Sequence, residues 1–346
     1  MKKILVTGCK GYIGTVLCST LRECGYEVVG IDVGYYEDCL LEDIDELYHF
    51  HAMDIRDITI DVFLNIDCVV HLAALSNDPL GEFSPKLTEE INGVSTINLA
   101  RYAVKAGVGQ FIYVSSQSMY GVSAPGVEIS EDESEKNPIT AYAKTKWETE
   151  LYLKGMDKGA TCFTYLRPST VFGYSPRLRS DIVFNNFIGA ALTKGKIEIF
   201  SDGSPWRPVI HVNDVCNVII SCLTQDQKLI SNRSYNLGIK NGNFTVLDLA
   251  KAAKQLVPHA DLKILGKSTD PRSYMVSFDR LHNEFSKLSC STNLLIGGED
   301  LVKNLQRIKF TELDFLGPKT VRLEKLKQLS KNGTIDSNLR MVKNEV

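Results

Sequence analysis

Apolar residues fall in short runs separated by helix-spaced stretches from the first residues onward. Ile4-Leu-Val-Thr is a short apolar strand entering a glycine-spaced turn. Residues 12–24 then set Ile13, Val16, Leu17 and Leu21 at helical spacing before Gly25 ends the run. Glu27-Val-Val-Gly-Ile-Asp32 predicts the next strand. The alternation continues with strands near 48–52, 67–72, 110–115 and 161–166 and helices near 86–107 and 140–154. Repeats of this kind build an α/β fold, a parallel sheet covered on both faces. Beyond about residue 173 the pattern is less regular, with helices expected at 180–194, 212–224 and 245–256 and strands near 197–200, 235–238 and 262–265. This portion is expected to cap the carboxyl edge of the sheet, where open α/β folds bind ligands. Residues 317–346 are Lys-rich and polar, with little apolar periodicity after Leu329, and read as a frayed tail.

Composition narrows the partners. The 346 residues are 44% hydrophobic and 23% charged, ordinary for a globular chain. A net charge of -3, from 39 basic and 42 acidic side chains, gives no basic excess to favour nucleic acid or an acidic membrane surface. A small-molecule partner is expected. Nine cysteines without metal-ligand spacing fit reduced thiols in a cytoplasm. The apolar run after Met1-Lys-Lys ends at Thr7-Gly8, too early for a leader, and no run is long enough to span a membrane.

Gly8-x-x-Gly11-x-x-Gly14 sits between the first strand and the first helix, where missing side chains let the backbone of the turn, Tyr12 and Ile13 included, approach a pyrophosphate. The spacing differs from the usual dinucleotide fingerprint, so context matters. Asp32 ends the second strand 18 residues past Gly14, where a carboxylate accepts both ribose hydroxyls of an adenosine and repels a 2′-phosphate. That favours NAD over NADP. Met53-Asp54-Ile55-Arg56 and His71-Leu72-Ala73-Ala74 follow later strands of the same edge. Asp54 is expected to accept the adenine amino group, and the small alanines leave room for the cofactor.

Tyr142 and Lys146 stand at i, i+4 at the start of a predicted helix, which puts phenol and ammonium on one face. A nearby ammonium is expected to lower a phenol pKa that starts near 10, making Tyr142 a general base. The strand Phe111-Ile-Tyr-Val-Ser115-Ser116 ends in two hydroxyls at the same edge of the sheet.

These elements, with Val114-Ser-Ser-Gln-Ser-Met-Tyr-Gly121, Leu166-Arg-Pro-Ser-Thr-Val-Phe-Gly173, Trp206-Arg-Pro-Val-Ile-His-Val-Asn-Asp214 and Asp270-Pro-Arg-Ser-Tyr274, resemble the extended short-chain dehydrogenases/reductases of the nucleotide-sugar epimerase/dehydratase group over about residues 1–285. The resemblance implies a Rossmann-type doubly wound parallel sheet over residues 1–173 and a smaller C-terminal α/β substrate-binding portion over 174–316, some of whose segments return to the core. It implies Ser116 and Tyr142 on the sugar hydroxyl and Lys146 on the nicotinamide ribose, leaving Ser115, Asn92 and Pro168 beside the cofactor. Arg207 and Arg272 match positions that grip a substrate diphosphate, and Asn185 or Asn186 matches a polar substrate contact. A homodimer through the helices near 86–107 and 140–154 is implied as well.

Gln117 and Ser118 stand where family 4,6-dehydratases carry Asp-Glu and where C3/C5 epimerases carry a cysteine, and neither ionises usefully. The chemistry left to Ser116, Tyr142, Lys146 and NAD is oxidation at sugar C4 followed by hydride return, a 4-epimerisation. Net C4 dehydrogenation of a nucleotide sugar, a nucleotide-activated heptose included, or 4-ketoreduction is the alternative. A 4,6-dehydratase and a non-catalytic NAD-binding regulator stand behind these.

Overall fold

The computed structural model describes residues 1–46, 48–124, 126–266, 272–285 and 292–342. Asp270 and Pro271 of the motif that ends at Tyr274 lie outside the described residues. Seven parallel strands form the main sheet: β1 (Lys3–Thr7), β2 (Glu27–Asp32), β3 (His49–Ala52), β4 (Cys68–His71), β5 (Gln110–Val114), β6 (Cys162–Pro168) and β7 (Arg233–Leu237), in the order β7-β6-β5-β4-β1-β2-β3. The order reverses between β1 and β4, and at such a switch point the loops leaving the carboxyl ends diverge and open a crevice. β4 and β5 are buried along their whole length because helices cover both faces.

One apolar layer packs the Tyr12–Glu23 and Val212–Thr224 helices on the first face of the sheet. A second lies under the Ser95–Lys105 and Ala141–Gly155 helices. A third cluster gathers the Val183–Lys194, Val246–Leu256 and Leu294–Arg307 helices into the smaller portion. The chain crosses back at β7, which pairs with β6 inside the main sheet.

Two expectations change. The helix expected near 86–107 is instead a short helix at Pro85–Thr88, a π turn at Glu89–Val94 and an α-helix at Ser95–Lys105. The segment read as a frayed tail is ordered over its described length. A helix at Arg322–Lys331 is followed by a loop whose Ile335 and Leu339 join Leu326 in the second apolar layer. Leu323 and Leu329 pack against the same layer, while the segment's lysines dilute the local pattern. No helix among the described residues is long and apolar enough to cross a membrane.

Candidate active site

The loops leaving β1, β2 and β4 enclose a cavity of about 620 Å³. The turn after β1 is glycine because nothing larger fits. Gly8 has φ +75°, and a Cβ there would stand 2.8 Å from the Ala73 amide nitrogen on the loop after β4. At Gly14 a Cβ would lie 2.1 Å from the Gly8 carbonyl oxygen. Gly11 caps the Tyr12–Glu23 helix without a side chain, and Tyr12 and Ile13 line the cavity. The N–H groups of the first turn and the positive end of the helix dipole are thus open to an anion.

Asp32 ends β2 with both oxygens fixed: Oδ2 accepts from the Lys10 amide at 3.1 Å and Oδ1 from the Gly34 amide at 2.9 Å. Burial raises its pKa against the pull of those two amides. Ile55, Leu72, Ala73 and Ala74 line the same end. Asp54 lines it too, but its carboxylate is already engaged by Arg56 at 2.6 Å and Arg340 at 3.3 Å. Asn92 is not a lining residue. It is buried in the π turn, where Oδ1 accepts from the Leu75 amide at 2.8 Å and Nδ2 donates to the Leu75 carbonyl at 3.2 Å. It pins the loop after β4 and acts on the cavity at one remove.

At the other end β5 delivers Ser115 and Ser116, β6 delivers Pro168, and the Ala141–Gly155 helix delivers Tyr142 and Lys146. Thr140 caps that helix, accepting from the Ala143 amide at 3.2 Å, so the first turn faces the cavity. Burial pushes the Tyr142 phenol up to about 12, and a hydrogen bond with Ser116 offsets only part of this. Burial also pulls Lys146 down to about 7, with Glu150 acting in the opposite direction. The Lys146 Nζ donates to the Val114 carbonyl at 2.8 Å and lies 4.9 Å from the centre of the Tyr113 ring. The lowering of Tyr142 expected from Lys146 is therefore not found: burial raises the phenol, and the groups that pull it down are Ser116 and Arg179. His71, beneath the site, is pushed down to about 3 by burial and by Lys146, so it is neutral between the hydroxyls of Thr7 and Thr96.

Toward the smaller portion, Asn186 lines the cavity and Asn185 does not. Asn185 accepts from the Gly173 amide at 3.0 Å and shapes the loop after Phe172. Arg207 and Arg272 both line the cavity. Arg272 pairs with Asp78, whose other oxygen accepts from the Thr140 hydroxyl. Sequence reasoning passed over Tyr36, Asp78, Ser169, Arg179, Asp181 and Arg322, all of them lining residues. Asn77-Asp78-Pro79, just past the alanines, was a turn signal in the right place, whereas nothing local marks Arg322.

The cradle fits a dinucleotide. It has a side-chain-free turn at a helix end, a fixed carboxylate after β2, and two buried hydroxyls without partners, Ser115 and Ser169, on its wall. A doubly wound sheet with this site defines an NAD-dependent enzyme of the short-chain dehydrogenase/reductase type. The pattern of the NAD dependent epimerase/dehydratase family matches residues 4–238, and the chain belongs to that family. It is 26% identical over 282 residues to UDP-glucuronic acid decarboxylase 4 of Arabidopsis thaliana, over 78% of this chain and 60% of that protein. The chain thus spans about 60% of the length of that relative. It is 30% identical over 228 residues to UDP-glucose 4-epimerase of Mycolicibacterium smegmatis, over 63% of this chain and 72% of that one. The solved UDP-glucose 4-epimerase of Thermotoga maritima, at 24% identity, superposes with a TM-score of 0.75 over 88% of this chain and 99% of its own, and so shares the fold.

Proposed function

We propose that the protein is a nucleotide-sugar 4-epimerase working through a transient 4-keto sugar. The carrying observation is the company Tyr142 keeps. Ser116 shares a hydrogen bond with it and Lys146 lines the same cavity, while Gln117 is turned into the core, its Nε2 donating to the Arg167 carbonyl at 2.9 Å and the Leu237 carbonyl at 3.1 Å. Ser118 lines the cavity but is no useful acid, and both Asp78 oxygens are engaged. Chemistry that needs a second free acid or base is disfavoured.

NAD, when bound, supplies a hydride acceptor and donor and a positively charged ring. Asp32 takes the adenosine ribose hydroxyls, and the glycine turn and the helix end behind it take the diphosphate. Ser116 holds the sugar C4 hydroxyl, and Tyr142 removes its proton and later returns it. Lys146 tunes Tyr142 and binds the nicotinamide ribose. Arg207 and Arg272 take the substrate diphosphate, Asn186 adds a polar contact, and Ile199 and Phe200 offer apolar surface to a nucleobase. The outer face of the Glu89–Lys105 and Ala141–Gly155 segments exposes Val94, Tyr102, Leu151 and Tyr152, an apolar patch that suits a homodimer. The eight described cysteines are all free, in keeping with a reducing cytoplasm.

Purified protein incubated with UDP-, GDP- and dTDP-sugars is expected to interconvert C4 epimers of one of them without net NADH. NADH accumulating in step with a 4-keto product would replace this reading with a 4-dehydrogenase. In sedimentation the protein should run at twice its 38.5 kDa chain mass. Asp32→Ala should weaken NAD roughly 10- to 150-fold, the worth of hydrogen bonds to a charged group. It should weaken NADP less, as isothermal titration of both cofactors would read.

A further inference from the structure

The C-terminal segment lies outside the family match at residues 4–238, yet it reaches the cofactor cavity. Its contacts fall on three of the loops that face the cofactor. The Tyr35 hydroxyl donates to the Leu339 carbonyl, and Lys325 pairs with Asp38 at 2.5 Å, both partners just past Asp32. Arg56 donates to the Asn338 and Leu339 carbonyls at 2.8 and 3.1 Å, and Arg340 pairs with Asp57 at 2.6 Å, both on the loop after β3. The Ser180 amide donates to the Thr320 carbonyl at 3.2 Å, next to Arg179.

The segment also brings a charge. Arg322 lines the cavity and is 2% exposed, its guanidinium 4.7 Å from the centre of the Tyr36 ring. It donates to the Lys319 carbonyl at 3.0 Å and the Arg177 carbonyl at 2.8 Å. Among the described residues no carboxylate lies within ion-pair distance of it. The nearby Arg179 is paired with Asp181 at 2.8 Å and donates to Ser76 at 3.3 Å, and both Arg179 and Asp181 also line the cavity. Two guanidiniums to one carboxylate leave this wall with a net positive charge. A buried cation without a counter-charge is costly unless an anion meets it. The Arg177 and Ser175 side chains bond to the Tyr12–Glu23 helix at Thr15 and Tyr12, which sets this wall against the helix end where a diphosphate would sit.

We propose that residues 317–342 are a strap that completes the cofactor site. Arg322, with Arg179, meets the dinucleotide diphosphate from the side opposite the glycine turn. The strap's ties to the 33–39, 54–57 and 177–181 loops then keep the cofactor in place between turnovers. The inference rests on NAD binding and is indifferent to which sugar reacts.

The test uses the full chain with Arg322→Met and Arg322→Lys, together with a Lys325→Ala/Arg340→Ala double variant whose changes lie outside the cavity wall. Dissociation constants and off-rates would be measured for NAD, ADP and adenosine on protein stripped of cofactor. Nucleotide carried through purification would be quantified after acid release. Arg322→Met should bind NAD and ADP about tenfold or more weakly, as loss of a charge-assisted hydrogen bond implies. It should bind adenosine as the parent does, and Arg322→Lys should recover part of the loss. The double variant should release NAD faster and lose carried-through nucleotide. A merely structural role would weaken adenosine along with ADP. Unchanged NAD affinity in Arg322→Met would overturn the contact, and an unchanged off-rate in the double variant would overturn the strap.

Discussion

Tyr142→Phe is expected to lower kcat by about 10²- to 10⁴-fold, the usual worth of a positioned general base, while cofactor content stays at the parent level. The ring is held from outside the reaction. Gly81 packs against the base of the side chain so closely that a Cβ there would stand 2.8 Å from the Tyr142 Cβ, and a phenylalanine inherits the same seat. What disappears is one oxygen, the hydrogen-bond partner of Ser116 and the acceptor of the sugar proton. The pH dependence has a definite sign. Tyr142 is pushed up to about 12 and Lys146 pulled down to about 7, both chiefly by burial, so the phenol keeps its proton at neutral pH. Turnover of the parent should rise with pH as Tyr142 gives up its proton, and that limb should vanish in Tyr142→Phe. Single-turnover kinetics with NAD absorbance as the readout would show both. A variant keeping a tenth of parental kcat would move the base elsewhere, and Asp78 would be the first residue to examine.

The second large effect concerns the support of that helix. Glu150, one turn beyond Lys146, and Arg167 on β6 form an ion pair with neither side chain exposed. The Arg167 Nε lies 3.1 Å from both carboxylate oxygens and Nη2 donates to one of them at 2.6 Å, Nη1 reaches the Tyr120 hydroxyl and the Glu131 carbonyl at 2.9 Å, and Ser234 donates to Glu150 at 2.7 Å. Burial works against ionisation of Glu150, but Arg167 outweighs it and holds the carboxyl below its usual range. Glu150→Gln strands a buried guanidinium and should cost about 3–5 kcal/mol, whereas replacing both partners by apolar residues of similar volume should restore much of it. Because the folded pKa of Glu150 lies below its unfolded value, this stability is present above about pH 4.3. It is lost as pH falls through the folded pKa. Denaturant unfolding of parent and variant should therefore differ most near neutrality and converge in acid. A midpoint for Glu150→Gln indistinguishable from the parent at pH 7 would refute the account.

Much of the frame was legible because it is written locally. The apolar run before Gly8, the helix-spaced residues after Tyr12 and the strand ending at Asp32 each carry their own period, and the reactive helix predicted at 140–154 runs Ala141–Gly155. What was hidden depends on long-range partners. Asn185 and Asn186 are neighbours in sequence, but helical geometry points them about 100° apart, and only the packed loop after Phe172 decides which one meets the cavity. Asn92 reads like any helix polar residue until the π turn aims it at Leu75. The last segment looked like solvated lysines because the groups that pair with it, Tyr35, Asp38, Arg56 and Asp57, stand near the opposite end of the chain.

That separation has a consequence for the order of assembly. The contact from Tyr35 to Leu339 closes a loop of 304 residues, and contacts so distant in sequence form late and at high entropic cost. In synthesis from the amino end, the dinucleotide-facing loops emerge before the segment that covers them and stay uncovered until it has been made. A chain interrupted before Arg322 would present a bay open on one side.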